Sequence, residues 1–261
     1  MIDLQWYGTA TLAMRYEGHT ILFDPFIPMN SKLKEPFLTQ DFSNVNSIVI
    51  THGHFDHIID VPTFLGYNQA KVYCDHSTAE FFKTKGVPLD RIQVIKCGDT
   101  IELGPFRLRT LAGKHIKFDM TLMARTFFSK RFFSNLNRAF NIFRLNKKIP
   151  HPKVFIFDIA ANDLKILHLG SLNIDQEETY PTEIDVMTVP FQGRSDIAPY
   201  AVKIVNQLHP KTVLLHHFDD TFPPITETID PSAFLKGLKE TAPDIQTIVP
   251  EYFKVINLGN S

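Results

Sequence analysis

Short apolar runs separated by turn residues open the chain. Asp3 to Tyr7, Thr11 to Tyr16 and Thr20 to Phe23 read as strands, because apolar and polar positions alternate and the gaps are short. Connections this tight, such as the turn Glu17-Gly18-His19, leave no room for a crossover and predict an antiparallel meander. Asn30 to Gln40, with its Pro and Lys residues, reads as a loop before the apolar run Ser47 to Ile50. Ser77-Thr78-Ala79-Glu80 has the hydroxyls and early carboxylate of a helix start and carries Phe81 and Phe82 toward a core. Val94 to Lys96, Ile101 to Leu103 and Phe106 to Leu111 read as strands, the last two joined at Gly104-Pro105. Val154 to Ile159 and Leu164 to Leu169 form a hairpin across residues 160–163, and Ile184 to Val189 is a buried strand. Asp196 starts a helix that runs to Leu208 with Pro199 in its first turns. Thr212 to Leu215 is the next strand, Asp230-Pro231 opens a last helix to Glu240, and Thr247 to Leu258 returns as the terminal strand. Strands followed by helices in each half predict an α/β fold, a four-layer α/β/β/α sandwich with two sheets packed face to face. One domain is expected over 1–261, with an insertion at 116–153 and no internal repeat.

The insertion breaks the pattern. Phe128, Phe132, Phe133, Leu136, Phe140 and Phe143 share one face at helical spacing, while Lys130, Asn137, Arg138 and Asn141 share the other. Residues 116–153 hold nine Lys and Arg, including Lys147 and Lys148, against the single acid Asp119, a local charge of +8 that leaves −9 for the rest. Three readings fit a basic, Phe-rich amphipathic helix over 121–145. It packs its Phe face on the core, closes as a lid over an apolar substrate pocket, or makes an interfacial or homo-oligomer contact.

Composition narrows the class only a little. A hydrophobic content of 44%, 21% charged residues and a net charge of −1 describe an ordinary globular protein with no overall pull toward nucleic acid. No apolar run reaches the roughly 20 residues of a transmembrane span, and the N-terminus lacks a basic region followed by an apolar core, so a cytoplasmic location is expected. Cys74 and Cys97 form no Cys-x-x-Cys pair and read as small buried apolar residues.

The chemistry concentrates in Thr51-His52-Gly53-His54-Phe55-Asp56-His57, at the end of the Ser47 to Ile50 run. Three imidazoles and a carboxylate so close together suit metal binding, since neutral imidazole is the commonest metal ligand. Side chains leaving a tight loop in alternating directions let His52 and His54 grip one ion while Asp56 and His57 reach a second. Two adjacent ions hold a hydroxide that is nucleophilic at neutral pH. Imidazole and carboxylate suit Zn best, with Mn or Fe also compatible. No nucleophile elbow or phosphate-cradling Gly-rich loop competes with this reading.

The His-x-His-x-Asp-His stretch resembles the signature of the metallo-β-lactamase-fold hydrolases, and Asp24-Pro25, Ala112-Gly113-Lys114-His115 and His216-His217-Phe218-Asp219-Asp220 resemble its other motifs. The resemblance covers most of the chain outside 116–153. It implies that His52, His54 and His115 hold a first ion and that Asp56, His57 and His217 hold a second, with Asp56 also orienting the water. His216 is the alternative to His217, because alternation along a strand lets only one of the two face the metals. Asp24 would support the metal loop from behind, or serve only as a turn residue before Pro25. Leu169-Gly170-Ser171 departs from the family, much of which has an Asp in place of Ser171 that bridges both metals. An uncharged hydroxyl is a poorer ligand. His76 is expected at the surface, and His168 and His209 are expected to be structural.

The resemblance implies hydrolysis of an ester, lactone or phosphodiester by a metal-bound hydroxide, with a small-molecule substrate that the Phe-rich insert suggests is apolar or lipid-like. Two other classes remain open: a nuclease that tracks phosphates with the basic insert, and a non-catalytic metal-binding protein disabled by Ser171. Nucleic acid is the less expected partner.

Overall fold

In the computed structural model of the chain, residues 1–117, 119–147 and 153–259 are described, and the side chains of 145–147 are not. The predicted contributions of Lys147 and Lys148 to the basic surface therefore lie outside the description. The first sheet is a meander of β1 (Ile2–Gly8), β2 (Thr11–Tyr16) and β3 (His19–Phe23), extended by β4 (Ser47–Val49), β5 (Lys71–Cys74) and β6 (Ile92–Val94). The second sheet holds β7 (Thr100–Leu103), β8 (Phe106–Gly113), β9 (Val154–Ala161), β10 (Leu164–Leu169), β11 (Val186–Pro190), β12 (Thr212–His216) and β13 (Gln246–Ile248). The last strand, β14 (Val255–Leu258), pairs antiparallel with β1 at the edge of the first sheet.

Each sheet is half antiparallel and half parallel, in the orders β14-β1-β2-β3-β4-β5-β6 and β13-β12-β11-β10-β9-β8-β7. Parallel neighbours need crossovers, and helices supply all of these but the one from β10 to β11, which is a helix-free segment over 170–185. In the first half these are α1 (Ser31–Leu38), α2 (Phe55–Ile58), α3 (Val61–Leu65) and α4 (His76–Thr84). The 116–153 segment supplies α5 (Met120–Phe127), α6 (Lys130–Phe133) and α7 (Leu136–Lys147), and the second half adds α8 (Ile197–Leu208) and α9 (Ser232–Thr241).

Strand alternation sorts the apolar side chains into layers. Leu4, Trp6, Phe106, Phe155, Phe157 and Leu214 meet between the sheets. Their strand neighbours turn outward, so that Ile156, Leu167, Val213 and Leu215 pack under Phe234 and Leu238 of α9. On the opposite side Ile48 and Val72 pack against Phe37, Phe64 and Phe82 of α1, α3 and α4. The molecule is thus the α/β sandwich that the element order predicts.

Several elements depart from expectation. The loop expected at Asn30 to Gln40 contains α1: Asn30 caps it by accepting from Lys32 N, and burial of Phe37 outweighs the hydrogen bond that Pro36 removes. β5 and α3 lacked a periodic signal because each is only four or five residues long. α4 begins one residue earlier than the Ser-Thr pair suggests, with Asp75 as the cap accepting from Ser77 N and Thr78 N. The terminal strand is two: β13 and β14 belong to different sheets, and Pro250 in the crossing between them cannot donate to a ladder. Cys97 is exposed; Cys74 is buried as expected. His76 is exposed as expected, and His209 ends α8 in a left-handed turn.

The basic, Phe-rich helix is three helices. Ser129 caps α6 by accepting from Phe132 N, which breaks the run after Phe128. The predicted common Phe face breaks up with it. Phe132, Ala139 and Ile142 turn inward, while Phe128, Phe133 and Phe140 stand in solvent. No helix among the described residues is long and apolar enough to cross a membrane.

Candidate metal centre

The centre forms where strands of both sheets end. β4 delivers Thr51, whose carbonyl accepts from Phe155 N of β9 at 2.8 Å and so ties the two sheets together at this point. Asp24, just past β3, accepts from Thr51 N at 2.8 Å and from Thr51 Oγ1 at 2.6 Å. The same carboxylate lies 2.9 Å from His57 Nδ1. Asp24 is therefore both of the things the sequence allowed, a turn residue at φ 44° and a support for the loop. Gly170 follows from this crowding. A Cβ there would sit 2.3 Å from Thr51 Cβ and 2.8 Å from Phe155 O.

His52 and His54 lie on the extended segment after β4, whereas Asp56 and His57 project from α2, a single helical turn rather than the continuous loop expected. Hydrogen bonding fixes which ring nitrogens remain available. Thr51 gives its hydroxyl proton to Asp24, so toward His52 Nδ1, 3.0 Å away, its oxygen accepts. His115 Nδ1 donates to Ile116 O at 2.6 Å, and His57 Nδ1 donates to Asp24. All three rings keep an Nε2 lone pair.

Two groups of donors result: His52, His54 and His115, and Asp56, His57 and His217. Within each, the donor atoms all lie within 4.8 Å of one another. The groups adjoin through the rings of His52 and His57, whose centroids are 3.9 Å apart. Neutral imidazole nitrogens and one carboxylate are a donor set that Zn, Mn or Fe accepts, so the residues fit the expected ions. Burial disfavours the charged form of three of the imidazoles: it pushes His52 well below the ordinary histidine range, lowers His115, and brings His54 to about 4. At His57 burial also opposes the charge, but Asp24 and Asp56 outweigh it and raise the pKa. Burial would raise Asp56, yet the His57 and His217 rings overcome it and hold the carboxyl well below its usual range.

The structure brings His217, not His216, to Asp56, with Nε2 3.2 Å from Oδ2. Strand alternation sends the fully buried His216 into the sandwich, where it stacks on His168 at 5.7 Å. His217 escapes that alternation by adopting φ 57°. Thr9 holds the turn: its carbonyl accepts from His217 N at 2.8 Å and from Trp6 Nε1 at 2.9 Å, and its N–H donates to Asp219. Ser171 is buried near His115, where its Oγ accepts from Ile116 N at 3.0 Å. Sequence reasoning assigned no role to Thr9, Thr51, Gly170 or Asp219. Only the presence of Thr directly before the first His and of Asp two residues past the last hinted at them.

The sequence model of the beta-lactamase superfamily domain matches residues 3–217. The chain belongs to this family. Among family relatives, a UPF0173 metal-dependent hydrolase of Anaeromyxobacter dehalogenans is 27% identical over 252 residues, covering 91% of this chain and 82% of that protein. The solved metallo hydrolase Igni18 of Ignicoccus hospitalis superposes with a TM-score of 0.65 at 18% identity, covering 100% and 99% of the two chains. CmlA, a diiron β-hydroxylase of Streptomyces venezuelae, superposes with a TM-score of 0.63 at 12% identity, covering 98% of this chain and 54% of its own. The metallo-beta-lactamase fold protein YhfI of Bacillus subtilis superposes with a TM-score of 0.65 at 12% identity over 98% of both chains, which places the two mixed sheets in that fold. In this family member the 116–153 segment packs against the helix that carries two of the donors. Ile142 of α7 packs with Phe26, Phe55 and Phe222, and Phe55 immediately precedes Asp56.

Proposed function

We propose that the protein is a metal-dependent hydrolase in which His52, His54 and His115 hold one divalent ion and Asp56, His57 and His217 hold a second. The observation that carries this reading is the convergence of six donors, drawn from three separate parts of the chain, into two adjoining groups. Zinc is the ion best matched to imidazole and carboxylate donors, although a diiron centre is named for the solved neighbour CmlA. Ions bound there would acidify a water and polarise a substrate oxygen. The chain's own residues prepare the site for this. Asp24, Thr51 and the Ile116 carbonyl fix the rings of His57, His52 and His115 so that Nε2 is presented. Asp56 stays ionised and can orient a water with the carboxylate oxygen that it does not give to the ion.

The proposed substrate is a small ester, lactone or phosphodiester with an apolar portion, in keeping with the aromatic insertion packed against α2. A cytoplasmic setting agrees with two free cysteines. The nuclease reading has less support, because Arg125, Arg131 and Arg138 are engaged with Glu227, Asp220 and the Met29 carbonyl. The test is elemental analysis of protein purified with Zn, Mn or Fe, followed by a panel of nitrophenyl esters, lactones and bis(nitrophenyl) phosphate. Two ions per chain, and turnover that a chelator removes and His54→Ala abolishes, are expected. Protein that binds no ion after metal-replete purification would remove the basis of the proposal.

A further inference from the structure

The insertion leaves a surface that the proposed chemistry does not use. Met120 and Phe128 are 78% and 81% exposed, and Phe133 and Phe140 are 58% and 69% exposed. Bare apolar side chains gathered on one segment mark an interaction surface, whereas isolated ones do not. Lys130 and Arg144, on the same helices, make no ion pair among the described residues, in contrast to the paired Arg125 and Arg131. Phe133 follows Lys130 by one turn on α6 and Arg144 follows Phe140 by one turn on α7, so each of these rings has a cation as its helical neighbour, on a segment that carries +8 in a chain of net −1.

We propose that this face docks the protein on an anionic lipid bilayer, with Phe128, Phe133 and Phe140 entering the headgroup boundary and Lys130 and Arg144 meeting lipid phosphates. Helices lying in a bilayer interface combine these two kinds of group. The charge selects this occupant over a second copy of the chain. A two-fold dimer through the face would set the same basic patch against itself. Single-stranded RNA would use the rings and the cations but leave Met120 bare, since it has no flat face for a base. The outward direction of these side chains separates them from Ile142, which is spent on packing against Phe55. The inference rests on surface chemistry and does not depend on the proposed hydrolysis.

The experiment is co-sedimentation with vesicles of phosphatidylcholine alone and of phosphatidylcholine with about one-third phosphatidylglycerol. Pelleting with the anionic vesicles, weakened by salt, is expected. Phe128→Ser with Phe140→Ser should lower the partition at least about tenfold, the scale of removing two aromatic side chains from an apolar phase. Lys130→Glu with Arg144→Glu should reduce pelleting with anionic vesicles only. Unchanged thermal midpoints would show that these exposed substitutions spare the fold. Absence of pelleting, or equal pelleting with neutral vesicles, would overturn the proposal. So would a dimer dispersed by the Phe substitutions, or salt-sensitive retention of an oligouridylate, in either case without vesicle binding.

Discussion

Asp24 Oδ2 and His57 Nδ1 lie 2.9 Å apart, both fully buried, and the same oxygen accepts the Thr51 hydroxyl. One carboxylate thereby sets the tautomer of His57 and fixes the residue that leads into the His-rich segment. Asp24→Ala should weaken the ion at Asp56, His57 and His217 by about 10- to 100-fold, the usual cost of removing a carboxylate behind a ligating histidine. Competition with a chromophoric chelator measures this. An unchanged affinity would mean that His57 does not ligate through Nε2.

Gly170 packs where no side chain fits, because an added Cβ would lie 2.3 Å from Thr51 Cβ, 2.7 Å from its Oγ1 and 2.8 Å from the Phe155 carbonyl. Two of those atoms are rigid within strand ends, so the contact cannot relax cheaply. Gly170→Ala should cost at least about 2 to 3 kcal/mol in urea unfolding, the upper range for overpacking a tight site. It should also weaken metal binding, because relief of the clash displaces Thr51.

What the sequence made legible follows from the range of each signal. Strands of five or more residues with clear alternation, such as β1, β2, β9 and β10, lie where the pattern put them. The ligand candidates at 52–57 were conspicuous because four polar groups crowd one short stretch. The choice between His216 and His217 could be framed by alternation, but it was decided by the φ of 57° and by Thr9, a residue more than 200 positions away in the chain. The insertion misled for a related reason. Helical spacing identifies residues that share a face only if the helix is continuous, and the Ser129 cap ends that continuity. Exposed Phe128 and buried Phe132 look alike in sequence.

Ser171 stands where the resemblance of the sequence leads one to expect a metal-bridging Asp, and its Oγ accepts from Ile116 N at 3.0 Å, beside His115. Removing the hydroxyl strands a buried N–H. Ser171→Ala should therefore destabilise by about 1 to 3 kcal/mol. Ser171→Asp should instead raise the affinity of the second ion, read by titration of the metal-free protein. Unchanged affinity in that variant would show that residue 171 does not face both donor groups.

His168 gives the fold a dependence on acid that needs no metal. Its Nδ1 pairs with Thr188 Oγ1 at 2.7 Å inside the sandwich, and burial, opposed by Asp24 and aided by His57, lowers its pKa from 6.5 to about 4. The unfolded chain then takes up a proton near pH 6.5 that the folded chain refuses until about pH 4, so acid favours unfolding across that window. Above it both states are neutral and His168 imposes no penalty. The expected loss from this residue is about 1 kcal/mol by pH ~5.5 and roughly 3 kcal/mol by pH ~4. His168→Gln keeps a partner for Thr188 but cannot be protonated. In metal-free protein, urea midpoints of this variant should therefore fall less steeply with acid than those of the wild type. Parallel curves would show that His168 does not contribute to acid sensitivity.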